Sequence, residues 1–227
     1  GDAEKIRAGD DGFGGLGLFA KEDFERGDVI AEIPFIATLG PETAMKSQWA
    51  DFLLMLYQDK DLPGQFASAI HLLIAADEDG SVLEPMIRTL PLHEELNVGM
   101  SWDRHDNMRA VNMVPQLAKL GHDIQEFFDR GYERFWAVLD MKEKEVKQLK
   151  KKKKLPNYTL FTRGNLLWAV SVLMTRAVNL PAEPPINLPN FLAPVQGLYR
   201  IIPTSDVLNM HPDAYSPYPP PPPGGGG

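Results

Sequence analysis

The chain has 227 residues, 44% of them hydrophobic, a formal charge of −8 and no cysteine. That length supports one sizeable core, or a small domain carrying a large insertion. The missing cysteines exclude disulfides, thiolate catalysis and cysteine-based zinc sites, and the acidic balance argues against a nucleic-acid partner.

No apolar run approaches the roughly 20 residues that span a bilayer, so no membrane association is expected. The chain starts at Gly1, and no charged-then-apolar start marks a secretory signal. A soluble intracellular protein is the expectation. Cytoplasm, nucleus and plastid are equally compatible with it, and no oligomeric state is implied.

Residues Gly1–Asp11 read as polar and loosely held. GFGGLG follows at Gly12–Gly17, and its glycines fit G-x-G-x-x-G. A dinucleotide fingerprint must follow a strand and open a helix. Here a polar segment precedes it and strand-turn texture follows, so that reading is rejected. Two readings stay open: a turn that only shapes the chain, or a loop whose backbone approaches a ligand because glycine lacks a Cβ. Glu25–Asp28 is a turn signal, and Val29–Ile33, ending at Pro34, predicts a strand.

From Pro41 the texture becomes helical. Pro41 and Glu42 mark a helix start, with Trp49, Phe52, Leu53 and Leu56 at helical spacing. A second helix follows Gly64, carrying Phe66, Ile70, Leu73 and Ile74 on one face with Ala67 and His71 beside it. His71 reads as a packed core histidine, since no second ligand stands at metal spacing. A short helix is expected over Leu83–Thr89, stopped by Pro91. One long charged helix is expected over Ile124–Lys150, with a stripe that includes Phe127, Phe128, Tyr132, Phe135, Trp136 and Leu139. The run Lys150–Lys154 reads as its solvated end rather than a nuclear-localisation or nucleic-acid motif. Thr162 suits an N-cap for the next helix, with Leu166, Val170 and Leu173 inward. Ile201–Ile202 predicts a short strand. The order is β, then helices, then a little β, which fits either a split β-domain or two abutting domains.

Four blocks together carry a resemblance: GLGLFA at Gly15–Ala20, the Phe66–Pro91 segment ending in RTLP, WAVSVLMTR at Trp168–Arg176, and PTSDVLNMH at Pro203–His211. They resemble the SET domain of protein methyltransferases, in the branch of the Rubisco large-subunit and actin-histidine methyltransferases. The resemblance implies an α+β fold, a SET-type β-fold of short strands split by a mostly helical insertion and missing its C-terminal part. Its parts would be residues 1–40 as the first SET segment, 41–156 as the insertion, 157–214 as the second SET segment, and 215–227 as a low-complexity Pro/Gly tail. An SH3-type ligand is the alternative reading of that tail.

The implied cofactor is S-adenosyl-L-methionine. Gly14, Gly15 and Leu16 would touch it through backbone atoms. Some relatives carry an acidic residue where Gly14 stands. Trp168, Val172 and Arg176 share a helical stripe at i, i+4 and i+8. On its own that stripe is a core helix ending in a dipole-matched cation; under the resemblance, Arg176 grips the cofactor's carboxylate. Thr175 is a weaker candidate. Asp206, Asn209 and Met210 fall on a D-x-x-N-H pattern, with Asn209 on the amino-acid portion and the backbone of Met210 at the adenine. Met210 stands where the pattern has histidine, and His211 comes one residue late. Without the resemblance the segment is an Asp/Asn turn.

The implied function is methylation of a lysine or histidine side chain of a protein. No residue is assigned the catalytic role, because the tyrosine segment of the family falls beyond His211, and Tyr215 and Tyr218 follow too closely. Little methyl transfer by the chain as written is therefore expected. The alternative is a non-catalytic SET-like binding module, and a third reading is a helical interaction protein.

Overall fold

The computed structural model describes residues 5–10, 12, 16–96, 98–102, 109, 113–180 and 198–202. The chain divides into two compact units, Gly1–Glu32 with Val207–Gly227, and Ile33–Asp206.

The first unit holds an antiparallel hairpin of β1, Ile6–Asp10, and β2, Leu16–Ala20, in register from Ile6 opposite Ala20 to Asp10 opposite Leu16. Arg7 and Phe19 face each other across it, and the guanidinium lies 4.9 Å from the ring centroid. The amide of Gly12, at φ +79°, donates to Asp10 Oδ1 at 2.7 Å. That left-handed backbone suits glycine. Over Ile6–Asp10 the expected loose segment is thus corrected: each of these residues pairs with a partner strand that local composition does not reveal. The Glu25–Asp28 turn forms, with the Glu25 amide donating to Asp28 Oδ2 at 2.8 Å. The strand expected at Val29–Ile33 does not form. Val29 and Ile30 are exposed, and no described strand pairs with them, so the alternation has no ladder to join.

The second unit is mostly helical. α1, Pro41–Ala44, begins at the expected proline, and Thr43 Oγ1 accepts from the Gly40 amide at 3.0 Å. α2 is Ala50–Tyr57 and α3 is Gly64–Asp77. Residues Phe66 to Ala75 of α3 are all buried, so it is the central helix and is apolar almost all round. Tyr57 and Ser68 join their hydroxyls at 2.8 Å, and burial pushes the Tyr57 phenol well above its usual range. α4 is the short helix Glu84–Ile87.

The long helix expected at Ile124–Lys150 is two helices. α5, Pro115–Met141, starts earlier, at a proline in the first turn, and α6, Glu143–Lys151, follows a break at Lys142. The two helices share Lys142 as cap, whose φ of −101° and ψ of 31° lie outside helical values. α6 packs on α2 and buries Leu149, a tertiary contact that helical periodicity cannot foresee. Its acidic first turn and basic last turn match the helix dipole. Lys150–Lys154 are exposed, as expected of a solvated helix end, and Lys154 Nζ reaches Asp51 Oδ2 at 2.9 Å. Hydrogen bonding to Lys154 lowers the pKa of Asp51.

α7, Arg163–Arg176, is capped by Thr162, whose Oγ1 accepts from the Asn165 amide at 3.1 Å. Its contact with α3 is the most extensive between helices among the described residues. β3, Val178–Leu180, follows and pairs antiparallel with β4, Leu198–Arg200. The strand expected at Ile201–Ile202 lies just upstream, and Ile201 instead bridges Leu39 by two 3.0 Å backbone bonds. An aromatic cluster joins α3, α5 and the segment before α7, in which Phe66 lies 5.6 Å from Phe128 and Phe135 lies 5.4 Å from Phe161, between ring centroids. No described helix is long and apolar enough to cross a membrane.

Candidate cofactor site

α7 presents the motif helix. Leu166, Val170 and Leu173 are buried, as their spacing predicts, and so are Val172 and Ser171. The stripe of Trp168, Val172 and Arg176 forms, but its members differ in role. Trp168 Nε1 donates to the carbonyl of Pro91 at 2.9 Å. The W-A-V-S motif and the R-T-L-P motif, 77 residues apart, are therefore joined by one hydrogen bond. Val172 is fully buried packing.

Arg176 is the last residue of α7 and half-buried. The next residue, Ala177, is extended at φ −78° and ψ 134°, and the chain passes directly into β3. A partly desolvated guanidinium at a helix end is chemically suited to a carboxylate. Its neighbour Thr175 is committed elsewhere: its hydroxyl donates to Ser171 O at 2.9 Å, within its own helix.

Leu16 is the first residue of β2, opposite Asp10. The glycine-rich stretch thus connects two antiparallel strands and opens no helix, which confirms rejection of the dinucleotide reading. Gly14, Gly15, Asp206, Asn209 and Met210 lie outside the described residues.

His71 is 4% exposed within α3. Burial pushes its pKa down to about 4, so the ring is neutral at physiological pH. It is a core histidine, and among the described residues no group of His, Asp or Glu is placed to hold a metal. The Trp168–Pro91 link escaped sequence reasoning, since a bond across 77 residues leaves no local pattern. The available signal was the tryptophan itself, because an indole N–H withdrawn from solvent needs an acceptor.

No protein-family model matches the sequence, and no curated protein matches it. Solved structures do. The SET domain of LSMT bound to lysine and AdoHcy aligns over 95% of this chain at 20% identity and a TM-score of 0.62. The same domain bound to methyl-lysine and AdoHcy aligns over 93% at 19% identity, also with a TM-score of 0.62. Rubisco LSMT bound to AdoMet aligns over 92% at 20% identity, with a TM-score of 0.59. The chain spans about two fifths of the length of these structures, 41%, 41% and 40%. Over the matched length the chain has the fold of these LSMT SET-domain structures.

Proposed function

We propose that this chain is the cofactor-binding part of an S-adenosylmethionine-dependent SET methyltransferase that modifies a lysine or histidine side chain of a protein. The observation that carries the reading is the fold likeness across 95% of the chain to a domain solved with AdoHcy and lysine. The W-A-V-S-V-x-M-T-R helix, ending in half-buried Arg176, supports it independently. In this reading residues 1–40 and 157–214 are the SET segments and 41–156 the insertion.

The cofactor, when bound, supplies an activated methyl on a sulfonium. Arg176 would hold its carboxylate by charge-assisted hydrogen bonding. The resemblance would give the remaining contacts to the backbone of Gly14, Gly15 and Leu16, to Asp206 and Asn209, and to the backbone of Met210. The protein's contribution to transfer is to hold a neutral substrate nitrogen in line and to exclude water.

Calorimetric titration with S-adenosylmethionine tests this. Binding is expected, and Arg176→Ala is expected to weaken it by about tenfold or more, from loss of a charge-assisted pair. Arg176→Lys keeps the charge but not the fork and should fall between. Absence of binding, or Arg176→Ala binding as tightly as wild type, would sink the assignment. Binding without transfer of radiolabelled methyl to extract proteins would favour a non-catalytic module.

A further inference from the structure

The segment Lys142–Lys154 holds eight lysines, two glutamates, no arginine and no aromatic residue, a formal +6 inside a chain of −8. Lys151 ends α6, Lys152 is its C-cap, and Lys153 turns the chain at φ +56°. The amides of Lys152, Lys153 and Lys154 donate to the carbonyls of Gln148, Lys150 and Leu149 at 3.1, 3.1 and 2.9 Å. The helix end is thus closed by backbone alone, and no ammonium is needed to cap it.

Local energetics do not account for these lysines. The left-handed position after a helix is one that glycine or asparagine fills, yet Lys153 takes it with a Cβ that this backbone disfavours. The helix dipole acts within the last turn, whereas Lys152–Lys154 follow it. Lys147 pairs with Glu143 at 2.6 Å and Lys154 with Asp51 at 2.9 Å. Lys150–Lys153 pair with no acid among the described residues, and all four are exposed. Adjacent like charges repel, so the run opposes its own fold and points to an anion supplied from outside.

The chemistry of the segment selects the kind of anion. It offers no aromatic platform for a base and no guanidinium fork for a phosphate, so a nucleic acid is poorly matched. Its apolar side chains, Val146 and Leu149, are half-buried and buried, which leaves nothing to insert into a lipid surface. Compact ammonium groups pair with carboxylates from any direction. Asp51 and Glu145 line the groove between α2 and α6 together with Lys152, so they repel an anion there and confine it to the helix end. A short acidic stretch fits that confinement, whereas a long uniform polyanion would run onto these carboxylates.

We propose that Lys150–Lys153, at the end of α6, is a docking surface for a short acidic segment of a partner protein. The proposal rests on charge and backbone geometry rather than on the methyl-transfer reading, and its test needs no turnover.

The full chain is titrated into fluorescein-labelled hexa-glutamate and followed by anisotropy at about 20 mM salt, where exposed charges are least screened. Labelled hexa-thymidylate and phosphatidylserine vesicles serve as the nucleic-acid and lipid counterparts. The peptide should bind saturably and more tightly than either. Replacing Lys150–Lys153 by glutamine should weaken it about tenfold or more. Replacing Lys5, Lys21, Lys60 and Lys119 by glutamine changes the net charge equally and should leave binding within about twofold. Lys153→Gly separates docking from folding: it suits the left-handed turn, so it should raise the melting temperature while weakening the peptide about twofold. Thermal melts confirm that the other variants fold. No binding at low salt overturns the proposal, and so does an undiminished affinity in the folded Lys150–Lys153 variant. Equal losses in the charge-matched control, tighter binding of thymidylate or vesicles, or undiminished binding in a stabilised Lys153→Gly chain overturn it too.

Discussion

The two faces of α3 are built on opposite terms. On the face of Phe66 the packing is tight: a Cβ placed on Gly131 of α5 would stand 2.1 Å from Phe66 Cε2. Helix and helix meet there with no room for one methyl group. On the face of His71 the helix borders a cavity of about 420 Å³, and behind its wall Trp49 Nε1 and His71 Nδ1 are sealed off with no partner in the protein. Tyr57 and Ser68 show that α3 can satisfy buried polar groups where a neighbour is available. The difference teaches that burial alone does not define structural filler. A buried polar group that is paired serves the fold, whereas one sealed off without a partner costs it about 1–3 kcal/mol.

The largest expected effect breaks the tight face. Gly131→Ala should destabilise the chain by about 3 kcal/mol, because the fully buried Phe66 is held among Phe127 and Phe128 and cannot turn away freely. Ala75→Leu, on the cavity face, should cost no more than about 1 kcal/mol. Urea denaturation of the two variants checks the contrast, and equal losses would erase it.

A second effect comes from His71. Its folded pKa, about 4, lies below the ordinary value of 6.5, so the unfolded chain binds more protons between those values. Stability contributed by keeping this ring neutral is therefore complete above pH 6.5 and lost as the pH falls toward 4. The loss is of order 3 kcal/mol. Denaturation midpoints measured across that range should fall for wild type and fall less steeply for His71→Phe. Parallel curves would show that the ring already has a hydrated path to its proton.

The smallest effect compares two indoles. Trp168 Nε1 has the Pro91 carbonyl, whereas Trp49 Nε1 has no acceptor in the protein. Trp168→Phe should therefore cost about 1 kcal/mol more than Trp49→Phe. The same denaturation experiment decides it, and a larger loss at Trp49 would mean that its N–H is paired after all.

How much of this was legible from the chain follows from the range of each interaction. Pro41, Thr162 and the apolar spacing of α3 and α7 act over one helical turn, and each sits where local chemistry puts it. Strands are less readable, since a ladder needs a distant partner. Ile6–Asp10 reads as polar coil yet pairs with β2, while the well-patterned Val29–Ile33 pairs with no described strand. The break at Lys142 was likewise invisible, because the contact of α6 with α2 lies outside the helix itself. Of the expected site, Arg176 stands at the end of its helix as the motif implies.

Sequence by itself therefore determined the helical texture from Pro41 onward, the caps, and the motif blocks whose resemblance pointed to the SET fold. Tertiary structure alone decided that Trp168 would lock onto Pro91, that Gly131 would admit Phe66, and that Trp49 Nε1 and His71 Nδ1 would be sealed off behind a cavity wall. The physical reason is one of distance. Propensity and capping are fixed by neighbours within a few residues, but hydrogen-bond partners and free volume depend on residues that only folding brings together.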